Sequence, residues 1–333
     1  MTTTNAPRTW DLGALQTHLQ GVVDLELWTV PYYMAAMYSI KDPSDEAYQL
    51  IQDIVHEEML HVQLASNVAN SFGLEPRFAP PVYVGQNVPH LNFALDEPNP
   101  TDTYSPFSAE IGPLDIERIN TTCLIEYPEW LTERQPDLRD QEDYGSIAEF
   151  YEAVRVGMYQ LRDQVRGGVN QVDEFRFFYN DFPNQTIDFD GDQGYLQAVS
   201  LIDLITDQGE GQTEGDSAVA VQHQNTADGF EESWSHFRRF SVIRDMRALP
   251  PTYSGVPDPP AGSPGDEAQQ TLIADFAAFL ETLETMFSGG EAPDFGVRMA
   301  KLGGDILTCW QRGATPRFSA PATAPAPGNL EGA

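Results

Sequence analysis

Three ionisable side chains interrupt the apolar faces of the first two helices that the sequence predicts, and acids aimed into a core limit severely what a chain can become. Over residues 11–39, Leu15, Leu19, Val22, Val23, Val30, Tyr33 and Met37 recur at intervals of three, four and seven, the spacing of a buried helical stripe. Glu26 falls in the middle of that stripe. Over residues 44–72, Ile51, Ile54, Val55, Val62 and Ala65 define a second stripe, and Glu58 and His61 both lie inside it. A carboxylate in an apolar interior costs several kcal/mol even after relaxation, so it persists only beside an opposite charge. Neither stripe carries Arg or Lys, and a divalent metal is the economical counter-charge. Glu58 and His61, at i and i+3, sit one turn apart on one face and can reach the same ion. The spacing alone is a weak signal, and Glu26 on the facing helix strengthens it. Glu57 and His56 point further round, towards the flank, and read as supporting or surface residues.

Asp42-Pro43-Ser44-Asp45 breaks the chain between these helices and supplies an N-cap, and Gly73 ends the second. So short a connection makes the two antiparallel neighbours. Residues 74–145 are proline-rich and read as a crossover over one end of a bundle, with short strands at Pro81–Val84 and Cys123–Ile125. Helical periodicity returns over 146–166 and 195–209, completing a four-helix set, and again over 230–247. The expectation is an all-α fold: a bundle over 1–250 with its crossover at 74–145, a linker at 251–265, accessory helices over 266–312, and a disordered tail at 313–333.

A dimetal bundle needs a second half: a Glu from a third helix and a Glu/His pair from a fourth. On the 146–166 helix, Glu149 and Glu152 both lie off the main stripe of Ile147, Tyr151, Val154 and Met158, and periodicity permits either. On the 195–209 helix Glu210 falls at the edge of the face defined by Val199, Ile202 and Thr206. Of the histidines that follow, His223 lies in a polar insert, whereas His236 lies in the aromatic-rich run Trp234-Ser235-His236-Phe237 and is the better ligand candidate. Glu126, in Ile125-Glu126-Tyr127-Pro128, reads as a structural acid satisfied by backbone amides. Arg238 and Arg239 read as surface ion-pair formers or as partners for a substrate carboxylate. Trp28, Tyr33 and Tyr38 read as core aromatics, with a radical role as the sharper alternative.

The formal net charge of −33, with Lys41 and Lys301 the only lysines, repels phosphate backbones and anionic membranes. Nucleic-acid and membrane partners are therefore not expected. Residues 1–10 lack the basic start and apolar run of a secretory signal, and Asp24 and Glu26 interrupt the most apolar stretch, so a cytoplasmic protein is expected. Cys123 and Cys309 lack CxxC spacing and read as buried thiols.

On Leu25-Glu26-Leu27 with Pro31-Tyr32-Tyr33, Glu57-Glu58-Met59-Leu60-His61, Ile125-Glu126-Tyr127-Pro128-Glu129, Glu149-Phe150-Tyr151-Glu152, Gln208-Gly209-Glu210-Gly211 and Ser235-His236-Phe237-Arg238-Arg239-Phe240, the chain resembles a known group. That group is the ferritin-like family of iminophenyl-pyruvate dimer synthase type, related to proteins of violacein and rebeccamycin biosynthesis. The resemblance spans roughly residues 11–312. It implies metal ligation, and with it catalysis, by Glu26, Glu58 and His61 on one side and Glu152, Glu210 and His236 on the other. It favours Glu152 over Glu149, and it leaves Glu232 as a rival to Glu210 because the 211–229 insert separates Glu210 from its histidine. Four carboxylates and two imidazoles suit two Fe(II) ions, or Mn or a mixed pair, with O₂ as co-substrate. The expected function is an O₂-dependent oxidase or oxygenase acting on a small amino-acid-derived or aromatic substrate, served by an electron donor in a homo-oligomer. The alternative is a ferroxidase, iron-handling or peroxide-detoxifying protein.

Overall fold

The computed structural model describes residues 9–95, 99–128, 144–175, 185–209, 219, 223 and 234–320. These residues form eight α-helices and no strand: α1 (Leu12–Ser39), α2 (Glu46–Ser71), α3 (Ile116–Ile125), α4 (Ile147–Gln160), α5 (Gly191–Gly209), α6 (His236–Arg244), α7 (Pro264–Phe287) and α8 (Phe295–Gln311). Most begin where a short polar side chain takes up an unpaired amide of the first turn: Asp11, Asp45, Asp115, Ser146, Ser235 and Ser263 all accept such a bond.

Four helices make the bundle. α1 packs on α2 and α4, and α5 packs on α2 and α4, closing the ring. α3 and α6 pair with each other at one end, and α6 also touches α2 and α5. α7 and α8 pair across the outer side of α1 and α2, where the Trp310 indole donates to the Ala35 carbonyl at 3.0 Å. This covering explains why α1 is buried around nearly its whole circumference, from Leu15 to Met37, instead of along one stripe.

The structure departs from the sequence reading in several places. Cys123–Ile125 is the last turn of a helix, not a strand: the Asp115 cap starts α3, and packing against α6 overrides the β-branched residues of Thr121-Thr122-Cys123. Around Val84 there is only an isolated bridge to Asn87. The expected linker is tied down, with Lys41 N donating to Pro251 O and Tyr253 N to Ser39 O. The start of the expected tail is packed as well: Ala314 and Phe318 are buried, and Thr315 N donates to Val256 O. The rest of that tail, 321–333, lies outside the described residues, as does most of the 211–229 insert. Among the described residues no helix is long and apolar enough to cross a membrane.

Candidate metal centre

Four of the sequence-predicted ligands converge inside the bundle. α1 supplies Glu26, α2 supplies Glu58 and His61, and α6 supplies His236 as its first residue, just after the Ser235 cap. All four are buried, His236 completely. One donor atom each from Glu58, His61 and His236 lies within 4.8 Å of the others, close enough to share an ion. Glu126, at the C-cap of α3, joins them, and Glu26, Glu58, His61 and Glu126 line a small cavity closed on the other side by Ile147, Ile205, Thr206 and Gly209. A Cβ added at Gly209 would stand 3.2 Å from Glu126 Oε2, so this glycine leaves room for the carboxylate.

Each imidazole is held by one nitrogen so that the other faces the acids. His236 Nε2 lies 2.9 Å from Glu57 Oε2, and Arg239 grips the same carboxylate at 2.7 Å and 3.4 Å. The permanently charged guanidinium keeps Glu57 an anion, so Nε2 carries the proton. Nδ1 then faces Glu58 Oε1, 2.9 Å away, and Glu126 Oε2, 3.7 Å away. His61 repeats the pattern. Gln208 uses its amide nitrogen on the His223 carbonyl at 3.2 Å, leaving its oxygen to accept from His61 Nε2 at 3.0 Å. His61 Nδ1 is thereby turned to Glu26 Oε2 at 3.6 Å and Glu58 Oε2 at 3.9 Å. An outer acceptor that fixes the tautomer is how metal-binding histidines are oriented.

The carboxylates are oriented too. Thr29 Oγ1 donates to Glu58 Oε2 at 2.7 Å, Tyr151 OH to Glu26 Oε1 at 2.5 Å, and Tyr33 OH to Glu126 Oε1 at 2.6 Å. Burial and the nearby acids hold both phenols protonated, with Tyr33 and Tyr151 well above the usual tyrosine range.

The charge balance tests whether a cation fits. Burial opposes ionisation of Glu57, yet Arg239 and His236 bring it down to about 2. Its neighbour Glu58 goes the other way: burial, then the charge of Glu126, raises it to about 7 against the pull of both imidazoles. Burial disfavours charge on His61 and His236, but the surrounding acids overcome it and raise both, His236 well above the usual range. Arg239 is taken up by Glu57, so Glu26, Glu58 and Glu126 must share protons or bind a cation. His236 Nδ1, fully buried, has no hydrogen-bond partner of ordinary geometry among the described residues, although Glu58 is 2.9 Å away. An imidazole nitrogen without an ordinary hydrogen bond, beside three carboxylates in an enclosed space, suits a divalent transition ion that displaces its proton.

Residues 19–245 match the model of the Ferritin-like family, well over half of the chain. The chain belongs to the ferritin-like family. It is similar to a solved structure described as a ferritin like protein from Caulobacter vibrioides, with 56% sequence identity, a TM-score of 0.84, and coverage of 94% of this chain and 100% of that one. No curated protein matches the chain.

Within this ferritin-like bundle one predicted ligand among the described residues is not brought to the cluster. Glu152 faces solvent from α4, and its carboxylate lies 3.0 Å from Arg155 Nε. Its helix neighbour Tyr151 takes the inward position instead, and the turn of the helix between consecutive residues carries Glu152 out to solvent. Glu210 lies outside the described residues, as does its rival Glu232. Glu149 is buried but turned to the Gly145 amide, at 2.8 Å. His223 pairs with Asp207 at 2.6 Å.

Two residues in or beside the cluster read otherwise from sequence. Glu126 is satisfied by a tyrosine at the cluster, not by backbone amides, and its sequence signal is an acid directly following the apolar run Cys123-Leu124-Ile125. Arg239 is buried rather than a surface cation, and its partner Glu57 takes the supporting role behind His236, one of the two roles read for it from sequence. Nothing in either helix's own periodicity pairs those two; α2 and α6 meet only in the folded chain.

Proposed function

We propose that the chain is a non-haem dimetal oxidoreductase, loaded with two iron ions, that uses O₂ to oxidise a small amino-acid-derived or aromatic substrate, in the manner of the iminophenyl-pyruvate dimer synthase type. The observation that carries this reading is the pair of imidazoles whose Nδ1 atoms face three buried carboxylates while their Nε2 atoms are tied back by Glu57 and Gln208. Glu26, Glu58, His61 and His236 are the ligands we assign from this geometry, with Glu126 as the carboxylate added to them. Iron in such a site supplies the electrons for O₂ reduction.

The chain's own groups have separate tasks in this reading. Glu57, gripped by Arg239, holds the proton on His236 Nε2 and so turns Nδ1 towards the carboxylates. Thr29, Tyr33 and Tyr151 hold single carboxylate oxygens, leaving the others to ligate. Ile147 and Ile205 line the same cavity and restrict water there.

Metal analysis with oxygen electrode measurements tests the proposal. Protein reconstituted with Fe(II) is expected to hold two ions per chain, to lose them on His61→Ala, and to consume O₂ in proportion to an organic substrate. Protein that binds no transition metal, or that accumulates many irons per chain without an organic substrate, refutes it.

A further inference from the structure

We propose that Tyr33, Tyr32, Trp28 and Tyr83 form an electron relay from the protein surface to the metal cradle, a reading that rests on the redox-metal assignment above. The inner end is Tyr33, whose hydroxyl donates to Glu126 Oε1 at 2.6 Å. Its ring meets Tyr32 edge-on at 6.2 Å, and Tyr32 stacks on Trp28 at 4.7 Å with 26° between planes. Trp28 meets Tyr83 at 4.8 Å, and Tyr83 also stacks on Tyr32 at 6.1 Å. Tyr83 is half-buried on the crossover segment, between the exposed Val82 and Val84. The series is therefore unbroken from a cluster carboxylate to the outside.

Packing alone does not require this composition. Phenylalanine fills aromatic space as well, and it does so beside the series, with Phe240 on Tyr33 at 4.9 Å and Phe318 on Tyr83 at 6.1 Å. All four relay members are instead oxidisable, and their polar atoms are anchored. Trp28 Nε1 donates to Val82 O at 3.0 Å, Tyr83 OH to Trp28 O at 2.9 Å, and Tyr32 OH to the Ser108 carbonyl. Proton acceptors decide their roles. Tyr33 donates to a carboxylate, which can take its proton. Tyr32 donates to the Ser108 carbonyl beside the Thr121 hydroxyl, both poor bases, and serves as a stacked bridge. Trp28 can lose an electron while keeping its indole proton on Val82. Two other tyrosines fall outside the path. Tyr151 donates to Glu26 in the same way, but no aromatic ring stacks on it among the described residues, and Tyr38 faces Tyr48.

In one event Tyr33 gives one electron to the site oxidised by O₂ and its phenolic proton to Glu126. An electron from Trp28, crossing the Tyr32 ring, restores Tyr33, which recovers the proton from Glu126. A one-electron donor of the ascorbate or thiol class in solution then reduces Trp28 across the Tyr83 ring, whose hydroxyl keeps its proton on the Trp28 carbonyl. The net transfer is one electron from that donor to the site.

The full chain, loaded with Fe(II) and exposed to O₂ without organic substrate or donor, is read by electron paramagnetic resonance and by peptide mass mapping. A protein-radical signal and oxidation of Trp28 are expected, with Tyr33→Phe lowering both at least tenfold per bound iron and Tyr38→Phe, whose ring faces Tyr48 off the path, lowering neither. Wild-type oxidation of Trp28 in Tyr33→Phe, or iron-loaded protein without any radical, overturns the relay. Pulse oxidation of metal-free protein by azide radicals tests it separately from the metal reading: tyrosyl yield at the expense of tryptophanyl should fall in Tyr33→Phe, and an unchanged yield sinks the relay even where iron fails to bind.

Discussion

Replacing Glu58 by Gln should change sign in its effect on stability according to whether metal is present. Glu58 is an acid raised from 4.5 to about 7 by burial and by the charge of Glu126. A raised folded-state value means that its stabilising contribution is complete below the unfolded value and is lost as pH climbs through the folded one. Metal-free protein should therefore weaken between about pH 4.5 and 7, and at about 1.4 kcal/mol per pH unit the loss is capped at about 3 kcal/mol. An amide in place of the carboxylate avoids that loss. Its oxygen can keep the bond from Thr29 and its nitrogen can donate to the His236 Nδ1 lone pair, so no new unpaired group is made. In chelator at pH 8, Glu58→Gln should thus melt above the wild type, by roughly 5 °C at about 2 °C per kcal/mol for a chain this large. Binding to the native state at a hundred times the dissociation constant adds about 2.7 kcal/mol, and the variant lacks a ligand, so with Fe(II) or Mn(II) the order should reverse. Calorimetry at pH 5 and pH 8, with chelator and with metal, gives the four midpoints. A variant equally destabilised in chelator at both pH values would show that the Glu58 carboxylate is already neutralised by protein groups, and the electrostatic case for a metal would collapse.

Arg239→Met strands the Glu57 anion in the core and should cost roughly 3–5 kcal/mol, measured by urea denaturation, with part of the loss recovered on acidification because burial then dominates Glu57. Retention of wild-type stability at neutral pH would mean that Glu57 does not depend on this partner. Glu152→Ala removes only an exposed pairing with Arg155, worth about 0–1 kcal/mol, and should leave metal stoichiometry intact, whereas Glu126→Ala should lower it. Elemental analysis of the two variants decides between these carboxylates, and loss of metal in Glu152→Ala alone would overturn the choice of Glu126.

The parts of the centre legible from sequence are those that local periodicity can address. Glu26, Glu58 and His61 stand on long helices whose apolar spacing defines an inward direction, so an acid out of place is visible in one dimension. His236 was accessible through composition, since an imidazole among Trp234, Phe237 and Phe240 has few routes to water. Glu126 had neither signal: α3 has ten residues, and the acid sits past its last turn, where periodicity no longer specifies direction. Glu152 failed for a related reason. It lies off the apolar stripe of α4, and family resemblance supplied the choice that the pattern could not. The covering of α1 by α8 was equally hidden, because a helix buried on all sides and one buried on a single stripe share the same innermost residues.

Adjacent Glu57 and Glu58 show how one helix turn can hold two carboxylates for opposite purposes. Glu57 faces a guanidinium and is driven to about 2, while Glu58 faces another acid and is driven to about 7. The first is an anion at any pH the protein meets, so it can fix the His236 tautomer without competing for ligands. The second is costly to ionise without a cation, so in the proposed metal-bound state it would give up its proton near neutrality. Environments that push two neighbouring carboxylates apart assign them different work. Here the division follows from the angle between consecutive residues on α2: one turns to α6 and Arg239, the other to Glu126 and the cavity, and both end on the two nitrogens of the single imidazole of His236.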